Sequence, residues 1–134
     1  KELLENQIKK LGLEGKVTLQ GRVENVPGYM KAADGVVVSS RREGFSYVVA
    51  EALLCRCPVV STDVPVANEV LDKSLIMGTD PRSISDTLCQ LIEDIEAWRR
   101  QCESAFEFAL DEFVFEKMLE KTERLYFDLL DARH

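Results

Sequence analysis

Val36-Val37-Val38-Ser39-Ser40, Arg41-Arg42-Glu43-Gly44-Phe45-Ser46, Tyr47 to Cys55 and Pro58-Val59-Val60-Ser61-Thr62-Asp63 follow one another along the chain. They read as a buried strand, a polar turn, a helix and a second buried strand. β-Branched apolar runs on both sides of one helical segment mark a parallel βαβ unit with both sheet faces covered. The turn then falls at the carboxyl end of a strand, where open α/β sheets hold ligands and where the next helix presents unpaired N–H groups. A ligand site is expected from Glu43 to Ser46.

The helix carries one charge. Glu51 stands in Tyr47-Val48-Val49-Ala50-Glu51-Ala52-Leu53-Leu54, and a carboxylate among apolar neighbours is costly unless something hydrogen-bonds to it. A ligand hydroxyl would serve. The alternative is that Glu51 occupies a narrow exposed stripe and that Glu43 merely favours a helix N-terminus.

The 134 residues, 46% of them hydrophobic, suffice for one core, so residues 1–134 are expected to form a single domain. No apolar run is long enough to cross a bilayer, which makes a cytoplasmic protein the expectation. The net charge is −7 and the basic residues are scattered, which argues against a nucleic-acid surface. Cys55, Cys57, Cys89 and Cys102 form no zinc spacing with the single histidine, His134. They are expected to be reduced thiols, mostly on apolar helix faces. The first residue, Lys1, opens inside helical periodicity, as a fragment of a longer polypeptide would.

Leu3, Leu4, Ile8 and Leu11 share a helical face ended by Gly12 and Gly15, which predicts an amphipathic helix. Lys16 to Gln20 reads as a short strand, Val26 to Ala33 as a brief helix with Pro27 near its start, and Ser74 to Met77 as a further strand. The sheet would then hold about four strands. Asp80-Pro81 is a capped helix start. Apolar residues from Ile84 through Trp98 and Cys102 to Phe106 predict one or two packed helices, with Trp98 in the core. A long final helix places Phe115, Met118, Leu119, Thr122, Leu125, Tyr126 and Leu129 on one face.

Ser40-Arg41-Arg42-Glu43-Gly44-Phe45-Ser46, Glu51-Ala52-Leu53 and Pro58-Val59-Val60-Ser61-Thr62-Asp63 resemble the donor-binding half of retaining glycosyltransferases with two Rossmann-like domains, the GT-B fold. Seven residues separate Glu43 from Glu51, matching that family's paired-glutamate motif. The resemblance runs from about Leu11 to Tyr126, and Ala33-Asp34 matches a family turn. It implies a Rossmann-like parallel sheet flanked by helices, the C-terminal half of a two-domain enzyme. It also implies a nucleotide-sugar donor, no metal or other cofactor, and a separate N-terminal domain that binds the acceptor. That missing half leaves room for peripheral membrane contact, and the fragment for association with its own copies.

By resemblance Glu43 lies near the donor sugar and is the catalytic candidate, while Glu51 takes the ribose hydroxyls. Gly44, Phe45 and Ser46 bring backbone to sugar and phosphate, and the helix start suits the diphosphate. Glu69 matches a further family glutamate, though a surface helix residue explains it equally well. Arg41 could add charge near the site or be a solvated loop residue. The family's own Arg and Lys for the leaving diphosphate would precede Lys1.

There are three departures from the family pattern. Arg56 replaces a common Gly just after the motif helix. Val64-Pro65-Val66-Ala67-Asn68 replaces a loop with two glycines, and Pro65 removes a backbone donor there. Ser46 replaces a further Gly. The rival expectation is a Rossmann-like binding or assembly domain without catalysis, and a phosphoacceptor signalling domain is weaker because no acidic cluster follows an early strand.

Overall fold

A computed structural model describes residues 1–132; His134 lies outside them. Three parallel strands form one sheet in the order β1 (Val36–Val38), β2 (Val59–Thr62), β3 (Ile76–Met77). β1 and β2 pair as Val36↔Val59, Val37↔Val60 and Val38↔Ser61, and β2 meets β3 as Ser61↔Ile76 and Thr62↔Met77. The predicted βαβ unit is therefore present, with α3 (Tyr47–Leu54) as its crossover. α1 (Glu2–Lys10) and α2 (Val26–Ala32) precede β1. Asn25 caps α2 by accepting from the Gly28 N–H, and Pro27 sits in the first turn.

All four residues of β2 are buried, and the core gathers round them. Val49, Ala52 and Leu53 of α3 face it from one side, and Trp98, Cys102, Phe106 and Ala109 close it. Trp98, 3% exposed, donates its indole N–H to the Val59 carbonyl at 3.3 Å, which satisfies the polar atom of a buried ring. Its core placement is as expected.

Several boundaries differ from the sequence reading. Lys16 to Gln20 is not a strand: residues 12–24 run as turns and irregular backbone, and Val17 is exposed. A strand persists only where a neighbour takes up its N–H and C=O groups. Here β1 pairs with β2 alone, so the sheet has three strands rather than about four, and no direct pairing joins Lys16–Gln20 to β1. The expected strand from Ser74 shrinks to β3, because Lys73–Leu75 form a 3-10 turn capped by Asp72.

After β3, Asp80 caps α5 (Pro81–Glu93) as predicted, accepting from the Arg82 and Ser83 N–H groups. The stretch from Ile84 to Phe106 is three helices, not one or two: α5, α6 (Ile95–Gln101) and the start of α7 (Glu103–Glu112). Asp94 makes the first break, leaving helical geometry and capping α6 through the Ala97 N–H at 2.8 Å. α8 (Phe115–Asp131) is the long final helix. Neither α1 nor α8 buries a residue; Leu3 is 85% and Phe115 66% exposed. The apolar faces of both helices thus stay largely open to solvent, against the packing their periodicity predicts. No helix of the described residues is long and apolar enough to cross a membrane.

The cysteines divide. Cys57 and Cys102 are buried, Cys55 is half-buried and Cys89 is exposed, which corrects its expected apolar face; all four are free. Burial pushes the Cys102 thiol up to about 11 and that of Cys57 upward as well. Both are inert as nucleophiles at neutral pH.

Candidate functional site

β1 ends at Val38, and the next eight residues carry the chain to α3. Ladder pairing with β2 stops there, so the turn must be held by side chains. Thr62, fully buried on β2, donates from Oγ1 to the Ser40 carbonyl at 2.6 Å, with the Val38 carbonyl at 3.4 Å. Ser40 Oγ donates in turn to Glu43 Oε1 at 2.5 Å. Such a short bond suits a hydroxyl facing a carboxylate. It holds the half-buried Glu43 below the ordinary glutamate pKa, so the group is an acceptor-only carboxylate at neutral pH.

The Ser46 hydroxyl lies near enough to lower Glu43 further, but it makes no hydrogen bond of acceptable geometry. Ser46 precedes α3 without capping it, is fully buried, and its Oγ has no partner among the described residues. With no surface open to solvent, this hydroxyl faces the protein beside the Glu43 carboxylate rather than the open side of the turn. At the start of α3 the Tyr47 N–H donates to the Phe45 carbonyl at 3.1 Å, while the Val48 and Val49 N–H groups have no partner among the described residues.

Gly44 is exposed, and a Cβ there would meet nothing within 4 Å. Neither packing nor positive φ demands glycine, so its smallness leaves open space beside Glu43. Phe45 packs edge-on against Tyr47 at 5.0 Å and Phe113 at 6.1 Å between ring centroids. It lines a groove of about 720 Å³ together with Val66, Glu69, Phe113, Met118 and Leu125. The structure therefore brings Phe45 and Glu69 to one groove. Glu69 lies on the short helix α4 (Ala67–Val70) and is exposed.

Glu51 lies on the exposed stripe of α3 with Tyr47, Val48 and Leu54, while Val49, Ala50, Ala52 and Leu53 face inward. It is not caught in apolar surroundings, and it is not among the residues that line the groove. Arg41 is exposed and makes no ion pair among the described residues. Thr62 and the α8 wall of the groove were not expected as site features. A buried threonine at a strand's carboxyl end was the legible signal for the first; the second comes from packing between segments about 70 residues apart.

The sequence and the fold can both be set beside known proteins. The family described as "Glycosyl transferases group 1" matches residues 1–94. N-acetyl-alpha-D-glucosaminyl L-malate synthase of Bacillus anthracis is 30% identical over 127 residues, which is 92% of this chain and 33% of that protein. D-inositol 3-phosphate glycosyltransferase of Corynebacterium jeikeium is 33% identical over 115 residues, 83% of this chain and 27% of that one. Sucrose-phosphate synthase from Thermosynechococcus elongatus superimposes with a TM-score of 0.82 at 24% identity, covering 96% of this chain and 34% of that chain. The chain thus shares that fold, and it spans about a third of the length of these proteins.

Proposed function

The chain belongs to the group 1 glycosyl transferases, and on that premise we propose that it is the donor-binding portion of a retaining GT-B enzyme. The reaction moves a hexose from a nucleotide sugar to a glycan, lipid or other acceptor, in the cytoplasm and without a metal ion. One observation carries the reading: a fixed carboxylate, Glu43, stands beside the start of α3, where the Val48 and Val49 N–H groups have no partner among the described residues.

A sugar nucleotide offers three kinds of group, and the site has a match for each. The free N–H groups of α3 and the helix dipole suit the diphosphate, which a carboxylate would repel. Glu51 takes the ribose diol with its two oxygens, as acidic residues do in dinucleotide folds. Glu43 accepts from the donor sugar near the anomeric carbon, and the open space at Gly44 admits it. Glu69 and Phe45 bound the sugar side through the groove they share, and Arg41 adds positive charge at the turn.

Transfer also requires an acceptor hydroxyl held at the anomeric carbon in a cleft that excludes water. That task falls to an acceptor domain, the expected occupant of the groove beside α8. The chain alone is expected to bind donor weakly, since a helix N-terminus supplies only about 1 to 2 kcal/mol toward an anion, and to leave sugar transfer near background.

Titration with millimolar UDP-glucose and GDP-mannose, followed by amide chemical shifts, tests the reading. Shifts should gather at Gly44 to Val48, and Glu51→Gln should weaken binding by about 1 to 3 kcal/mol through lost charge-assisted hydrogen bonds. No binding by either donor, or affinity indifferent to Glu51, would favour a non-catalytic assembly domain, the role to which the exposed faces of α1 and α8 lend some support.

A further inference from the structure

We propose that Thr62 is a positioning residue for the Glu43 carboxylate, acting through Ser40. The β1–β2 ladder ends at Val38↔Ser61, one residue before Thr62, so nothing in the sheet itself fixes Ser39 and Ser40. Thr62 replaces the missing rung with its side chain. A hydroxyl has one proton to give, and the 2.6 Å contact to the Ser40 carbonyl takes it; 3.4 Å to Val38 is at the limit of a hydrogen bond. Ser61 cannot substitute, because its hydroxyl donates to the Thr62 carbonyl at 2.9 Å.

Held at its carbonyl by the strand, Ser40 turns its own hydroxyl to Glu43. No other side chain among the described residues makes a hydrogen bond or an ion pair to that carboxylate with acceptable geometry. The carboxylate's direction therefore depends on a path that begins in the fully buried centre of the sheet, at Thr62. The consequence for donor recognition rests on the reading of Glu43 given above.

The experiment compares Thr62→Val, which keeps shape and loses the hydroxyl, with Thr62→Ser and Ser40→Ala. The readout is the carboxyl carbon of Glu43 followed by NMR as pH is lowered. Both Thr62→Val and Ser40→Ala should move the Glu43 titration upward toward that of an ordinary glutamate, and Thr62→Ser should restore it. A general loss of packing would not be rescued by serine. A Glu43 titration that Thr62→Val leaves where the wild type has it would overturn the proposal. Should the valine chain fail to fold, the wild type still decides: the Thr62 hydroxyl proton must resist exchange with solvent, and rapid averaging with water refutes the bond.

Affinity for UDP-glucose and GDP-mannose separates this inference from the reading beneath it. Thr62→Val and Ser40→Ala should each weaken the bound donor by about 3- to 10-fold, the scale of one hydrogen bond. If Glu43→Gln leaves affinity unchanged while Thr62→Val still shifts the Glu43 titration, the donor role of Glu43 fails and the positioning role stands. If Glu43→Gln weakens binding while Thr62→Val alters neither readout, the positioning role fails and the donor reading stands.

Discussion

Arg56 sits just beyond α3 with φ of 54°, the left-handed geometry that glycine adopts freely and that a Cβ disfavours. Its side chain offsets the backbone. The guanidinium reaches Glu103 and Glu107 on α7 and lies over the Phe106 ring, 5.4 Å from its centroid, while Arg99 donates to the Arg56 carbonyl at 3.2 Å. The residue that follows α3 is thus a tie between α3 and α7. Two substitutions separate the contributions. Arg56→Ala keeps the strained backbone and loses the tie, so it should lower stability. Arg56→Gly loses the same tie but relaxes the backbone, and it should exceed the alanine chain by about 1 kcal/mol. Urea unfolding of the two variants measures the difference directly. Val66, at φ 73° and buried, is a second residue in the left-handed region. Its side chain walls the groove.

Among the elements, α6 and α8 show what one sequence can and cannot announce. Trp98 on α6 presses its ring against Gly35, where a Cβ would collide with the six-membered ring. Gly35→Ala should therefore destabilise by about 1 to 3 kcal/mol through overpacking, with an unchanged urea m-value. The break before α6 was hidden because apolar spacing runs on from Leu91 through Ile95 to Trp98; the Asp94 cap was the readable mark. The β1–α3–β2 unit was legible throughout, since its runs are local and each strand finds the other. The alternation from Lys16 to Gln20 does not make a strand, because alternation specifies one only where a partner exists. The turn from Glu43 to Ser46 was legible for the same local reason, whereas the hold of Thr62 on Ser40 spans 22 residues and had no sequence spacing to reveal it.

α8 adds a pH dependence at its root. Lys121 and Lys117 donate to the two oxygens of Glu112 at 2.6 and 2.9 Å, and Lys117 also reaches Asp111. The Lys121 bond, then that of Lys117, lowers Glu112 from 4.5 to about 2. A carboxylate depressed in the folded state contributes its stabilisation above its ordinary pKa and loses it as pH falls through the folded value. The attachment of α8 should therefore be intact above pH 4.5 and loosen between there and about pH 2. Glu112→Gln should abolish that dependence, and amide signals of residues 113–121 recorded down the pH range report it.

At the scale of the whole molecule, order is distributed unevenly. β2 and α3 lie in the centre of the core, with Val59, Val60, Val49, Ala52 and Leu53 free of solvent. α1 and α8 bury nothing. An isolated helix of 9 or 17 residues is marginal in water, because most helical stability in proteins comes from a packed apolar face. The apolar residues that would supply it on α8, from Phe115 and Leu119 to Tyr126 and Leu129, are open to solvent. Local opening should then span a wide range of free energies within this one chain. Hydrogen exchange at neutral pH should find the amides of α3 and β2 opening only with global unfolding, and those of α1 and the outer half of α8 exchanging orders of magnitude sooner. The same measurement identifies a cover. Protection of α8 equal to that of α3 at high protein concentration, lost on dilution, would show that copies of the chain bury the face. Equal protection at every concentration would refute the picture of an unsupported helix.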